Sequence, residues 1–118
     1  SVPSNNIVTV GTNKEDMACA VECLARNQGG FTVVKNGKVL AEVKLPIGGI
    51  MSAEPYEELL KAVEYAKEAA HSLGCPLTQP FFTMSQTVLS SLPELGFTDR
   101  GIVDVKAGKI VDVFVEKE

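Results

Sequence analysis

The 118-residue sequence contains no tryptophan, a single histidine (His71), three cysteines and only 6% aromatic residues. Each scarcity removes a class of function. One imidazole does not make a histidine-based metal centre. Cys19, Cys23 and Cys75 are an odd number without framework spacing, which excludes a disulfide scaffold and fits a reduced, cytoplasmic setting. G-x-S-x-G, the P-loop, G-x-G-x-x-G, H-x-H and C-x-x-C are all missing. Lys and Arg nowhere cluster and the net charge is −4, which argues against a nucleic-acid partner. The longest uncharged stretch, Leu73 to Leu92, is interrupted by Pro76 and Pro80 and is rich in Ser, Thr and Gln, so it does not read as a membrane span. Ser1 to Asn6 is short and polar, unlike a signal peptide. The chain opens without an initiator methionine and reads as a fragment of something longer.

What is present is ordinary for a globular protein: 45% hydrophobic and 22% charged residues. A chain of this length is expected to form one domain, residues 1–118, and to bury about 65% of its unfolded surface. Gly29 to Ser52 is the stretch around which the rest is arranged. Asn36-Gly37 stands between two apolar-rich runs, and a type I′ turn needs positive φ at both central positions, so the pair predicts a hairpin. A regular ladder from that turn apposes Lys35 to Lys38, Val34 to Val39, Val33 to Leu40 and Thr32 to Ala41, putting Thr32, Val34, Val39, Ala41 and Val43 on the core face. The other face mixes Lys35, Lys38, Glu42 and Lys44 with Phe31, Val33 and Leu40 and is expected to be partly covered. Pro46 then ends the strand, and Gly48-Gly49 allows a reversal or a close approach to a neighbouring surface. Ile47, Ile50 and Met51 on that loop either tuck under the next helix or dock on something outside the chain.

Upstream, Ile7-Val8-Thr9-Val10 reads as a strand. Thr12 or Asn13 caps a helix whose apolar stripe is Met17, Ala20, Val21 and Leu24 and which stops at Asn27-Gln28-Gly29-Gly30. Downstream, a second helix begins near Ser52 or Glu54, with Pro55 in its first turn. It carries Tyr56, Leu59, Leu60, Val63, Ala66, Ala70 and Leu73 toward the hairpin and ends at Gly74. From Leu77 to Leu89 an extended segment is expected, with a short helix from Ser85 as the alternative. Thr98 to Gly101 is a turn, Ile102 to Val105 a strand, Ala107-Gly108 a turn, and Ile110 to Val115 another strand. The expected architecture is α+β: a two-layer sandwich, a mixed β-sheet with two main helices packed on it. Cys19 and Cys23, four apart on the first helix, have the spacing for two metal thiolates but lack further ligands and read as packed thiols. His71 reads as a cation complementing the helix C-terminus, and Asp104 and Asp112 as exposed strand residues.

Three stretches resemble one family. They are Gly29–Glu42 running into Leu45-Pro46-Ile47-Gly48-Gly49-Ile50-Met51-Ser52, then Leu73-Gly74-Cys75 with Pro80-Phe81-Phe82-Thr83-Met84-Ser85, then Pro93 to Val105. In this order, and with the opening Asn6 to Asn13 and Asp16-Met17-Ala18, they are similar to the C-terminal domain of bacterial and archaeal adenine deaminases of the amidohydrolase superfamily. Where that family usually has Pro-Ile-Ala-Gly, this sequence has Pro46-Ile47-Gly48-Gly49. The resemblance implies a metal-dependent hydrolase that converts adenine to hypoxanthine and ammonia in purine salvage, with manganese or iron held in a (β/α)8 barrel outside this chain. It implies no catalytic or metal-binding residue within residues 1–118, hence no cofactor bound here and a chain inert by itself. Its partner would be the catalytic barrel of the same polypeptide, with a homo-oligomer open for the full-length enzyme and no role for nucleic acid or membrane. Gly48, Gly49, Met51, Ser52, Phe82, Thr83 and Ser85 are the candidates for facing that barrel or lying near its active site. The competing function class is an independent small-molecule or protein-binding module of the same fold. An exposed apolar patch of Ile47, Ile50, Met51, Phe81 and Phe82 would favour the first class, and their burial the second.

Overall fold

The computed structural model describes residues 1, 4–92 and 94–114, and the chain divides into two compact units. The larger, Thr9–Phe81, holds the predicted hairpin and both long helices. Its first helix, α1 (Lys14–Asn27), starts at Asn13, whose side chain accepts the Asp16 amide at 2.7 Å. It ends at Gln28, which takes the left-handed conformation, φ 60°. Strands β1 (Gly30–Lys35) and β2 (Lys38–Lys44) follow, joined by Asn36 and Gly37 at φ 53° and 70°, the signs a type I′ turn requires.

The expected register holds only next to the turn. Lys35 pairs with Lys38 and Val34 with Val39, but Val33 then pairs with Ala41 and Thr32 with Glu42, so Leu40 is an extra residue in β2. Such a bulge slips the register by one and exchanges the faces beyond it. Val33, rather than Thr32 and Val34, therefore joins Ala41 and Val43 in the core, and these three are buried together with Leu45 and Ala66. Ala66 belongs to α2 (Tyr56–Ser72), which lays Leu59, Ala62, Val63, Ala69 and Ala70 on the same cluster. Tyr56, Leu60 and Leu73, which periodicity would have turned inward, are exposed. Phe31 completes this face by stacking on Phe81, with ring centroids 4.7 Å apart and planes 11° from parallel.

On the opposite face, Thr32 and Glu42 meet α1: the Thr32 hydroxyl donates to Cys23 Sγ (3.6 Å) and Asn27 Nδ2 donates to Glu42 Oε2 (2.9 Å). The hairpin is thus enclosed between two helices, with an aliphatic seam toward α2 and a polar one toward α1. α2 stops at Gly74, which has φ 93° and donates its N–H to the His71 carbonyl at 2.9 Å.

The smaller unit comprises Ser1–Val8 and Phe82–Glu118. Among its described residues, β3 (Leu95–Thr98), β4 (Gly101–Asp104) and β5 (Lys109–Val111) form an antiparallel meander. The α+β class is as expected, but both sheets are antiparallel, where one mixed sheet was expected. Three local expectations also change. Ile7 to Val10 pairs with no strand. Pro80–Gln86 is a helix, α3, rather than an extended segment. Pro at the first helical position loses no hydrogen bond there, which outweighs the β propensity of Phe and Thr in so short a run. Leu95–Thr98 is a strand that a four-residue stretch containing Gly96 did not announce. The last expected strand is described as Lys109–Val111, and Val115 lies outside the described residues. Asp104 and Asp112 both accept backbone amides, from Ala107 (2.9 Å) and Phe114 (3.0 Å), so each holds a turn.

Candidate functional site

The loop after β2 is a miniature hairpin. Ile47 and Met51 bridge through Ile47 N–H to Met51 O (3.0 Å) and Met51 N–H to Ile47 O (3.1 Å). Gly48 and Gly49 lie at its tip with φ 64° and 79°. Both are in the left-handed region, where a β-carbon crowds the following carbonyl. Gly49 also approaches the α1–β1 junction: a β-carbon on Gly29 would overlap its Cα and stand 2.7 Å from its carbonyl oxygen. The glycines are therefore accounted for by the unit's own backbone. The apolar side chains are not, because Ile47 is 46% exposed, Ile50 36% and Met51 56%. They do not tuck under α2. Ser52, next in line, accepts the Glu54 amide on its Oγ at 3.1 Å and so turns the chain toward α2.

The remaining candidates, Phe82, Thr83 and Ser85, share one stretch of α3 in the smaller unit. Phe82 and Thr83 are exposed, whereas Ser85 donates its hydroxyl back to the Phe82 carbonyl at 2.7 Å. The Ser85 carbonyl accepts from the Ser1 hydroxyl at 3.2 Å. Phe81 departs from the candidate patch altogether, since it belongs to the core of the larger unit.

Two features escaped the sequence reading. Asp16 does more than cap α1: its carboxylate accepts the Asn36 amide (3.0 Å) and the Gly37 amide (2.7 Å), tying the helix start to the hairpin turn twenty residues on. The Gly37 amide, then Asn13 and Asn36, hold this carboxyl below its ordinary pKa. Glu42 is likewise held low, first by Asn27 and then by Lys44 and Cys23. The signal for the first was an acidic residue at the third helical position together with an Asn-Gly turn whose amides have no ladder partner. The second was hidden by the bulge.

The described residues do not fit a metal centre. No three His, Cys, Asp or Glu side chains gather among them. Cys23 is surrounded by donors, Arg26, Asn27 and Thr32, each about as far from its sulfur as a weak hydrogen bond allows. His71 Nε2 lies 2.8 Å from the Leu77 carbonyl; a carbonyl only accepts, so that nitrogen carries the proton. No helix among the described residues is long and apolar enough to cross a membrane.

A family profile described as the adenine deaminase C-terminal domain matches residues 1–109. Among curated proteins, an adenine deaminase of Desulforamulus reducens is 44% identical over 114 residues, 97% of this chain and 19% of its own length. An adenine deaminase of Clostridium botulinum is also 44% identical over 114 residues with the same coverage. One of Brucella anthropi is 49% identical over 102 residues, 86% of this chain and 18% of its own length. The chain thus spans about one fifth of the length of the curated relatives it matches.

Proposed function

The chain belongs to the adenine deaminase C-terminal domain family, and on that premise we propose that it serves a deaminase whose larger part carries the chemistry. In this reading the complete polypeptide adds water at the amino-bearing carbon of adenine and releases ammonia, leaving hypoxanthine, as a step of purine salvage in the cytoplasm. A divalent metal, manganese or iron, held in a barrel outside this chain, would supply the activation of that water. The role of this chain is to pack on that barrel.

The observation that carries the reading is the exposed Ile47-Ile50-Met51 tip. Three apolar side chains stand out from a turn with two positive-φ glycines at its tip, and exposed apolar clusters of this kind mark contact surfaces. The candidates Gly48, Gly49, Met51 and Ser52 would face the barrel from the larger unit; Phe82, Thr83 and Ser85 are separate candidates, in the smaller unit.

The test is ammonia release from adenine in the presence of Mn²⁺ or Fe²⁺. The 118-residue chain is expected to show none. A polypeptide carrying it as its C-terminal part is expected to turn over and to lose activity or domain docking on Ile50→Ser plus Met51→Ser. Turnover by the 118-residue chain, or full activity in the double variant, overturns the proposal.

A further inference from the structure

The Asn36-Gly37 turn carries a chemistry that a single contact restrains. Asn36 is the only asparagine in the sequence followed by glycine, and no aspartate precedes a glycine. Glycine has no side chain to shield its backbone nitrogen from the side-chain amide of the residue before it. The turn adds no shield: Asn36 and Gly37 are exposed, and nothing lies within 4 Å of where a β-carbon on Gly37 would stand. Lys35 and Lys38 pair across the turn and bring two cations to it, which favours loss of a proton from a nearby group. What occupies the Gly37 nitrogen is Asp16. Its Oδ1 accepts the Gly37 N–H at 2.7 Å and its Oδ2 accepts the Asn36 N–H at 3.0 Å, so one carboxylate holds both amides of the turn. Asn13 Nδ2 donates to the same Oδ2 at 3.1 Å, and the Asp16 amide donates to the Asn13 side chain at 2.7 Å, which fixes the carboxylate at the helix start. A hydrogen bond to an ionised acceptor is stronger than one to a neutral group, and an anion beside an N–H opposes its deprotonation.

We propose that Asn36 is a modification site at which water converts the side-chain amide to a carboxylic acid through a cyclic imide, and that Asp16 holds the site latent by keeping the Gly37 amide proton in place. In the first step the Gly37 nitrogen gives its proton to solvent and forms a bond to Asn36 Cγ. The Cγ–Nδ2 bond breaks, and Nδ2 leaves as ammonia with a proton taken from water. The imide then adds water at one of its two carbonyls. Opening at Cγ gives aspartate, and opening at the main-chain carbonyl gives isoaspartate, whose backbone runs through the former side chain. Nothing is oxidised or reduced, and water is the only co-reactant. The first step needs a nitrogen free to lose its proton and to turn toward Cγ, and the bond to Asp16 denies it both. Either product places a second carboxylate against Asp16. Isoaspartate also lengthens the backbone by one carbon in a turn whose two residues set the pairing of Lys35 with Lys38. The modification therefore weakens the tie between α1 and the hairpin that had prevented it, and Asn36 is not regenerated. It uses none of the residues of the Ile47–Met51 tip and does not rest on the deaminase reading.

The test is incubation of the 118-residue chain at mildly alkaline pH and physiological temperature, with the acid and isoaspartate forms at Asn36 counted by peptide mass mapping. The folded chain should convert roughly tenfold or more slowly than a peptide of residues 32–41 under the same conditions. Asp16→Asn keeps the shape of the side chain and removes its charge, and should raise the rate at Asn36 roughly tenfold, toward that of the peptide. Asn13→Ala loosens the same helix end but leaves the Gly37 amide on Asp16, and should change the rate less than about twofold. Hydrogen exchange at the Gly37 amide of the parent gives a reading that needs no variant, and should be slower than in the peptide. A parent chain that converts, or exchanges at Gly37, as fast as the peptide overturns the proposal, as does an Asp16→Asn variant that converts no faster than the parent. An Asn13→Ala variant accelerated as much as Asp16→Asn would put the control in fraying of the helix rather than in the Asp16 contact, which overturns it equally.

Discussion

The two units differ in what they bury. In the larger one the hairpin is covered on one face by α2, through Val33, Ala41, Val43, Leu45 and Ala66, and on the other by α1, through Cys23. In the smaller one Gly96 is the only buried residue among those described, and Leu92, Leu95, Phe97, Ile110, Val113 and Phe114 are each about half exposed or more. Leu95 and Phe97 project from one face of β3, and the register places Ile102 and Val111 in line with Phe97. An amphipathic sheet becomes stable when its apolar face is covered. The larger unit meets that condition with its own helices, whereas in the smaller unit Leu95 and Phe97 are about half exposed and Ile102 and Val111 only partly buried. The two units are thus distinguishable by how much each buries.

The sharpest break of that contrast is at Gly30. It has φ 127°, and a β-carbon there would overlap the Val43 carbonyl inside the hairpin ladder. Gly30→Ala should cost about 3 kcal/mol or more in denaturant unfolding of the larger unit, from backbone strain plus overpacking. Val43→Ala comes next. A fully buried valine at the centre of the hairpin core should cost about 2 kcal/mol, while Phe97→Ala, which removes a ring 52% exposed, should cost less than about 1 kcal/mol in the same chain. Equal losses at the two positions would show that the meander has a core of its own and erase the distinction. Gly48→Ala and Gly49→Ala should each cost about 1 kcal/mol, because both sites have positive φ and neither has a close clash. No loss at either would mean that the tip rearranges freely and is not a rigid presenting surface.

The smallest effect is on pH dependence. Asp16 and Glu42 both have folded-state pKa values below the ordinary ones, so each contributes stability that is present above the unfolded-state pKa and is lost as pH falls through the folded one. Stability should therefore decline below about pH 4. Asp16→Asn should flatten part of that decline and lower the melting temperature at neutral pH, where Asp16→Asn and the parent then differ most. Glu42→Gln should do the same through the α1 seam, and acid profiles identical to the parent would remove these carboxylates from the account.

The α+β class, both long helices, the Asn13 cap, the Asn36-Gly37 turn and the Gly74 stop were all legible in the sequence, because each is set by a few adjacent residues with fixed φ or a specific cap, whereas α2 starts at Tyr56 after an N-cap Pro55 and not at Ser52 or Glu54. So was the family, through motifs kept in order along the chain. Of the candidate site, the glycine tip was legible as a turn, since positive φ is a local requirement. Tertiary structure alone decided the rest. A single bulge at Leu40 exchanged the faces of the hairpin beyond it and sent Thr32 and Glu42 toward α1, and no pattern of alternation marks where a ladder will slip. Phe81 stacks on Phe31, fifty residues away in sequence, and nothing local to Pro80–Gln86 announces that partner. Whether Ile47, Ile50 and Met51 turned inward or outward depended on how α2 left the loop, and an apolar side chain carries no record in its own sequence neighbourhood of whether packing will reach it.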